Sequence, residues 1–128
     1  MTRYTPASPD SVMLEIGEFE ELVDRNGILN ICLIDPKNGK VSFAFDSYLV
    51  YRKLDEGDSL IFLAQFAKDR VSRQSLYLAS ESEFVSWFVE QSYNIRDTSS
   101  LFHYVIVSNN DIIDVISLGE PKIEIGNG

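Results

Sequence analysis

Apolar residues near the start of the chain recur with the period of an α-helix. Four of them stand at i, i+4, i+7 and i+11: Val12, Ile16, Phe19 and Val23. This spacing places them on one helix face. The segment Ser8–Asp10, with its proline, is typical of a helix start, and Gly27 can end a helix in the left-handed conformation. The pattern predicts a helix from about residue 9 to residue 26. The alternative is a short strand over 12–16 followed by a helix over 18–26.

Alternating apolar and polar residues predict that most of the remaining chain forms β-strands. Ile28–Ile34 and Val41–Phe45 flank a turn sequence at 35–39, which predicts a β-hairpin. A second hairpin is predicted from strands at 101–108 and 111–117, which are joined by the dipeptide Asn109-Asn110. Two further strands are predicted at 74–79 and 122–125.

Two segments leave the choice of secondary structure open. Residues 48–54 can continue as a strand or form a short helix, and residues 60–71 suit a buried strand or a helix, with a slight preference for helix. A further helix is predicted more firmly. Ser80–Glu83 has the spacing of a capping box with Ser80 as the N-cap, a wide apolar face follows over 84–89, and the helix should end near Ser92 or Tyr93.

Together these elements predict the α+β class. A chain of 128 residues fits one compact domain, so we expect a single α+β domain over 1–128. Its architecture should be a mainly antiparallel sheet with two or three packed helices. Residues 1–8 and 126–128 are predicted to be flexible ends.

The charge is strongly acidic. The chain has 20 Asp and Glu against 11 Lys and Arg, a net charge of −9, which repels nucleic acid and favours a basic partner. The acids fall into three blocks, at 10–24, 55–58 and 111–124. Carboxylates from these blocks and neighbouring tyrosines are predicted to contact the partner. The predicted contact residues are Glu15, Glu18, Glu21, Asp55, Glu56, Asp58, Asp111, Asp114, Tyr48 and Tyr51.

The sequence offers little material for catalysis or metal binding. His103 and Cys32 are its only histidine and cysteine, too few for a zinc site. His103 could act as a base for Cys32 or a serine, but catalytic groups favour loops, so we expect a packed strand histidine with one or two hydrogen bonds. The acidic loop 55–58 lacks EF-hand spacing, and no phosphate-binding motif is present. We therefore predict no catalytic residue, no bound metal and no cofactor.

The cellular location is expected to be the cytoplasm. The first ten residues are polar and do not resemble a signal peptide. The longest apolar run, 60–64, is far shorter than the roughly 20 residues of a membrane-spanning helix. We accordingly expect no membrane association, and a reduced thiol at Cys32.

The closing segment Tyr104–Ile116, taken with the small size, the acidity and the α+β pattern, resembles bacterial immunity proteins. Those proteins neutralise the toxin domains of contact-dependent growth inhibition and other polymorphic toxin systems, so the resemblance implies tight binding to one cognate toxin in the cytoplasm. We therefore expect a non-catalytic acidic protein that occludes the active site of a basic toxin, such as a nuclease, without binding nucleic acid itself. The alternatives are a nucleic-acid mimic that inhibits a host DNA- or RNA-binding protein, and a small carboxylate-dependent enzyme.

Overall fold

The computed structural model of the chain describes residues 2–9, 12–55, 74–93 and 95–126. Within these ranges it contains nine β-strands, one α-helix and a short 3-10 turn at Thr98–Ser100. In chain order the elements are β1 (Arg3–Pro6), β2 (Glu18–Arg25), β3 (Ile28–Asp35), β4 (Gly39–Phe45), β5 (Tyr48–Asp55), β6 (Leu76–Ser80), α1 (Glu83–Gln91), β7 (Phe102–Val107), β8 (Asp111–Ser117) and β9 (Lys122–Ile125).

The strands form two antiparallel sheets. The five-stranded sheet has the order β1-β6-β7-β8-β5, and the four-stranded sheet has the order β2-β3-β4-β9. Every pair of neighbouring strands is antiparallel. In the described part of the chain, β1 and β5 are the edges of the first sheet, and β2 and β9 are the edges of the second.

The main core lies between the two sheets. One cluster of buried side chains contains alternate residues of β3 and β4 from the four-stranded sheet, and alternate residues of β7 and β8 from the five-stranded sheet. Because alternate residues of a strand point to opposite faces, the two sheets face each other across this cluster. Its members from these four strands are Leu29, Ile31, Leu33, Val41, Phe43, Phe45, Tyr104, Ile106, Ile113 and Val115.

Helix α1 packs on the opposite face of the five-stranded sheet. Its inward residues Phe84, Val85 and Val89 cluster with Ile116, whose chain neighbour Val115 belongs to the main core. Ser82 is the N-cap, and its side chain accepts a hydrogen bond from the backbone of Val85. The predicted helix is therefore confirmed, but it begins two residues later than expected, with Ser82 rather than Ser80 as the cap.

The predicted fold class is wrong. Instead of an α+β domain with two or three packed helices, the described residues form two antiparallel sheets with one α-helix. The largest error is the helix predicted over residues 9–26, because 18–25 form strand β2, and the alternative with a helix over 18–26 fails for the same reason. The arm at 1–8 also differs from the expected loose end, because residues 3–6 form β1 and pair with β6.

A β-bulge explains why strand β2 resembles a helix in sequence. The bulge lies between Phe19 and Glu21 and adds one residue to the strand. As a result Phe19 and Leu22, three positions apart, both pack against the main core. An odd spacing on one face is typical of a helix, and here a bulged strand produces it.

The remaining predicted strands are confirmed with small shifts at their ends. Both predicted hairpins form, as β3–β4 and β7–β8, and β6 and β9 correspond to the strands expected at 74–79 and 122–125. The open choice at 48–54 is resolved as strand β5. The segment 60–71 and the last two residues lie outside the described residues.

Candidate functional site

A row of four polar side chains, buried except at Arg52, connects helix α1 to the five-stranded sheet. Ser82 caps the helix, His103 lies on β7, Asp114 on β8 and Arg52 on β5. The strand register places Arg52 directly opposite Asp114, and Asp114 faces Val105 of β7, two residues from His103. Because residues two apart share a face, His103 and Asp114 lie on the same side of the sheet as the helix.

The four side chains are joined end to end by short hydrogen bonds. Ser82 Oγ lies 2.7 Å from His103 Nδ1, and His103 Nε2 lies 2.7 Å from Asp114 Oδ1. The second carboxylate oxygen, Oδ2, accepts a 2.8 Å hydrogen bond from Arg52 Nε. His103 and Asp114 are each only 3% exposed.

The hydrogen-bonding capacity of these groups determines where the protons lie. An ionised carboxylate can only accept, so His103 Nε2 donates to Asp114. In the neutral imidazole Nδ1 is then an acceptor, and the Ser82 hydroxyl donates to it while accepting from Val85 N–H. When histidine is neutral, both ring nitrogens of His103 and both carboxylate oxygens of Asp114 therefore have a hydrogen-bond partner.

Asp114 stays ionised despite its burial. Burial raises the pKa of this carboxyl, but the hydrogen bonds from His103 and Arg52 and the positive charge of Arg52 outweigh it, and the pKa lies below its ordinary value. An aromatic stack shields the row from one side. The Arg52 guanidinium lies 4.0 Å from the ring centroid of Phe84, and the same ring meets His103 edge-on at 5.3 Å.

The order serine, histidine, aspartate is the one that activates a nucleophile in serine hydrolases. Here, however, Ser82 is 8% exposed, and its hydroxyl oxygen is already occupied as the cap of α1. Cys32, the other nucleophile considered, lies on the four-stranded sheet with its thiol 3.3 Å from Ser42 Oγ. This arrangement favours a role for the row in fixing α1 to the sheet.

The second candidate site is an acidic surface on one open side of the two-sheet structure. Strand β2 carries four acids and one base in the sequence EFEELVDR. It lies beside β5 of the other sheet, because Tyr48 donates a 2.5 Å hydrogen bond to Asp24 and the Lys53 ammonium lies 4.9 Å from the Phe19 ring centroid. We call this surface the β2–β5 side. Its acids and tyrosines are Glu18, Glu20, Glu21, Asp24, Tyr48 and Tyr51, and its bases are Arg25 and Lys53.

Several of the predicted contact residues meet at the β2–β5 side. Glu18 and Glu21 are exposed on β2, and Glu18 accepts a 2.8 Å hydrogen bond from the Asn109 amide. Tyr48 and Tyr51 are half-buried on β5 with their rings edge-to-face at 5.8 Å. The structure therefore places Asp24 of the first acidic block against Tyr48, while Glu18 and Glu21 lie farther along β2 on its outward face.

The other predicted contact residues lie elsewhere or are already engaged. Asp55 is exposed at the end of β5. Its register partner Asp111 is half-buried in a 3.0 Å ion pair with Lys53, and Glu15 pairs with Lys37 at 3.3 Å. Asp114 is buried in the middle of β8 and is not available to a partner. The remaining two, Glu56 and Asp58, lie outside the described residues.

The sequence analysis missed residues in both candidate sites, the polar row and the β2–β5 side. Ser82 and Arg52 carried no sequence pattern that would connect them to His103, because only the pairing of distant strands brings them together. Glu20 and Asp24 belonged to the first acidic block but were left out. In the predicted helix Glu15, Glu18 and Glu21 fall near one another, whereas the strand also exposes Glu20 and Asp24.

A groove of about 580 Å³ lies on the side of the molecule formed by β1, β6 and the residues around β9. Its lining is mixed polar and apolar, and its one carboxylate is Glu120. Burial, together with this charge, raises the pKa of the Tyr104 hydroxyl. The groove thus does not supply the pair of carboxylates that a carboxylate-dependent enzyme requires.

The described residues contain neither a cluster of metal ligands nor a membrane-spanning helix. No group of three or more His, Cys, Asp and Glu residues in these ranges could hold a metal ion. In the same ranges, no helix has the length and apolar character needed to cross a membrane.

Comparisons of the chain with protein-family models, with curated proteins and with solved structures find no match. The structure therefore defines the class on its own: an antiparallel β protein of two facing sheets, with α1 fixed to one outer face and acidic side chains along one open side.

Proposed function

We propose that this protein is a non-catalytic acidic binding protein of the cytoplasm that neutralises a basic partner, a toxin or nuclease domain, by covering its active site. The observation that carries the proposal is the β2–β5 side. An exposed edge strand presents four acids against one base there, and two tyrosines of the neighbouring sheet lie beside it.

The electrostatics of this side suit an encounter with a basic surface. Glu18, Glu20 and Glu21 are exposed and closely spaced, and although Lys40 lies 3.9 Å from Glu20, their net negative field attracts a positive cleft before contact. A toxin that acts on nucleic acid has such a cleft, because it must bind phosphates.

The tyrosines supply the apolar contact that charges alone lack. Tyr48 and Tyr51 hold each other edge-to-face, and Tyr48 is fixed further by its hydrogen bond to Asp24. Rigid aromatic side chains lose little conformational entropy on binding and are enriched among the residues that dominate binding energy.

The test is a titration against the polypeptide encoded immediately upstream of this protein's own gene. We expect a complex whose affinity falls with rising salt, and an inhibition of the partner's activity at a one-to-one ratio. The variant E18Q/E20Q/E21Q should weaken binding by about tenfold or more. Absence of any complex at micromolar concentration, at both low and high salt, would refute the proposal.

Two control variants separate the local surface from general effects. E81Q/E83Q/E90Q removes the same number of exposed acids around α1 and should change affinity less than about twofold. His103→Gln should lower stability but leave the affinity of the folded protein unchanged, because His103 is buried on the outer side of the other sheet. Loss of inhibition in folded His103→Gln would instead revive an enzymatic role.

A further inference from the structure

The hairpin that begins at β2 leaves part of the β2 backbone without a partner in its sheet. Asn26 and Gly27 both have positive φ, at 52° and 79°, the conformation of a two-residue type I′ turn. Arg25 and Ile28 flank this turn as register partners and exchange both of their backbone hydrogen bonds.

Hydrogen-bonded and non-hydrogen-bonded pairs alternate along an antiparallel ladder. The next pairs from the turn are Asp24 with Leu29, Val23 with Asn30, and Leu22 with Ile31. Val23 therefore bonds to β3, whereas the N–H and C=O groups of Leu22 and Asp24 point away from it. No strand in the described ranges pairs with that edge.

We propose that this edge of β2 binds an extended basic segment of a protein partner as an added β-strand. This inference rests on the proposed function and specifies how the partner docks. Main-chain hydrogen bonds from Leu22 and Asp24 would supply affinity, as in other cases of strand addition. The side chains of β2 would determine which partner sequences bind.

Charge decides between a basic partner and a second copy of this chain. Pairing two copies of β2 would bring their four acids together, and like charges directly opposite each other destabilise a strand pair. A strand that carries lysine or arginine would instead place opposite charges beside the acids of β2, and this stabilises the pair. The bulge at Phe19 and Glu21 further twists the edge away from self-pairing.

The two faces of β2 also predict the sequence pattern of the added strand. Glu18 and Glu21 share the face of β3 residues Ile34 and Cys32, which points away from the core. Leu22 points inward, towards the main core and the half-buried tyrosines of β5. The bound segment should therefore alternate basic residues facing outward with apolar residues facing inward.

The experiment uses the full chain labelled with ¹⁵N and an eight-residue peptide of alternating lysine and valine, matched to the length of β2. At saturation, amide hydrogen exchange at Leu22 and Asp24 should slow by about tenfold or more. Val23 is an internal control, because its N–H is already bonded to β3 and its exchange should not change.

Two further peptides and one variant sharpen the test. A peptide with glutamate in place of lysine should not bind, and one with N-methyl groups on the bonds that face β2 should lose binding. The variant E18Q/E21Q should weaken binding by about threefold for each carboxylate.

The outcomes distinguish the two proposals. No binding at about 1 mM, or binding of the lysine peptide without slower exchange at Leu22 and Asp24, would overturn strand addition. The proposed function fails on separate grounds, namely the absence of a complex with the product of the upstream gene.

Discussion

Asp114 is the residue whose environment has the clearest physical consequence. Its carboxylate is held between His103 and Arg52 in a position that is almost completely buried. Ionisation of Asp114 therefore contributes to folding only while those two partners are in place. Because the unfolded chain lacks this environment, the stability of the protein depends on the protonation of Asp114.

The pH dependence follows from the sign of the shift. The pKa of Asp114 is lower in the folded protein than its ordinary value of 3.8, so the stabilisation is complete above about pH 5 and is lost progressively as the pH falls from there through the folded-state pKa. Asp114→Asn should lower the free energy of unfolding at neutral pH by about 2 kcal/mol and should flatten its decline between pH 5 and pH 3. Urea unfolding at a series of pH values measures both effects.

Some acid sensitivity should remain in that variant. Asp35 is also buried, and although burial raises its pKa, hydrogen bonds from the backbone of Lys37, Asn38 and Glu15 lower it below the ordinary value. Asp46→Asn is the control, since Asp46 is exposed in the turn between β4 and β5. An unchanged slope in Asp114→Asn would contradict the assignment.

Glycines at the ends of β2 show how an element is positioned. A Cβ atom added to Gly17 would lie 2.0 Å from the carbonyl oxygen of Ile34, so only glycine allows the chain to pass this close to the end of β3. At Gly27 nothing lies within 4 Å of the added atom, and the cost arises only from its φ of +79°.

The two substitutions to alanine should therefore differ in size. Gly27→Ala should cost about 1 kcal/mol of stability, because the left-handed conformation disfavours a side chain. Gly17→Ala should cost about 3 kcal/mol or more, because two backbone segments must move apart. Gly119→Ala is the control, with its nearest atom, Ser47 Oγ, at 3.4 Å. Unfolding curves in urea rank the three, and equal values for Gly17→Ala and Gly119→Ala would refute the account.

The elements that the sequence predicts well are those whose partners lie close in the chain. The hairpins β3–β4 and β7–β8 depend on local turns and simple alternation, so both were predicted. Strand β2 was not, because its bulge imitates a helical stripe and the Asn26-Gly27 turn was interpreted as a helix end. That dipeptide is a strong hairpin pattern and could have corrected the prediction.

The candidate sites, too, could be predicted only where they depend on residues that are close in sequence. The excess of acids in residues 10–24 was visible in the sequence, but their position on a sheet edge was not, because it depends on which strands pair. His103 was expected to be a packed strand histidine, and its burial and two hydrogen bonds confirm that placement. Its partners Ser82 and Asp114 could not be identified, since residues far apart in sequence meet only in the folded sheet.

For the whole molecule, the acids of β2 should keep separate copies apart. Open sheet edges tend to pair with one another, and charged side chains are one way in which proteins prevent this. The variant E18Q/E20Q/E21Q should therefore self-associate at concentrations where the wild type does not.

Sedimentation velocity measures this effect directly. The variant E81Q/E83Q/E90Q has the same net charge as the β2 variant and should sediment like the wild type, because its substitutions lie around α1. Association of both variants to the same extent would point to total charge rather than to the β2 edge.

The strand order also determines how much of the chain must be synthesised before the two sheets can form. Strand β1 leaves the exit tunnel early but pairs only with β6, whose residues begin at Leu76. At the other end, β4 pairs with β9, so its second edge stays open until Lys122–Ile125 have been made. Both sheets therefore depend on pairing between segments far apart in the chain. Such pairing slows folding and leaves strands unpaired until their partners have been synthesised. A nascent chain that stops before β9 should be a favoured target for chaperones and proteases.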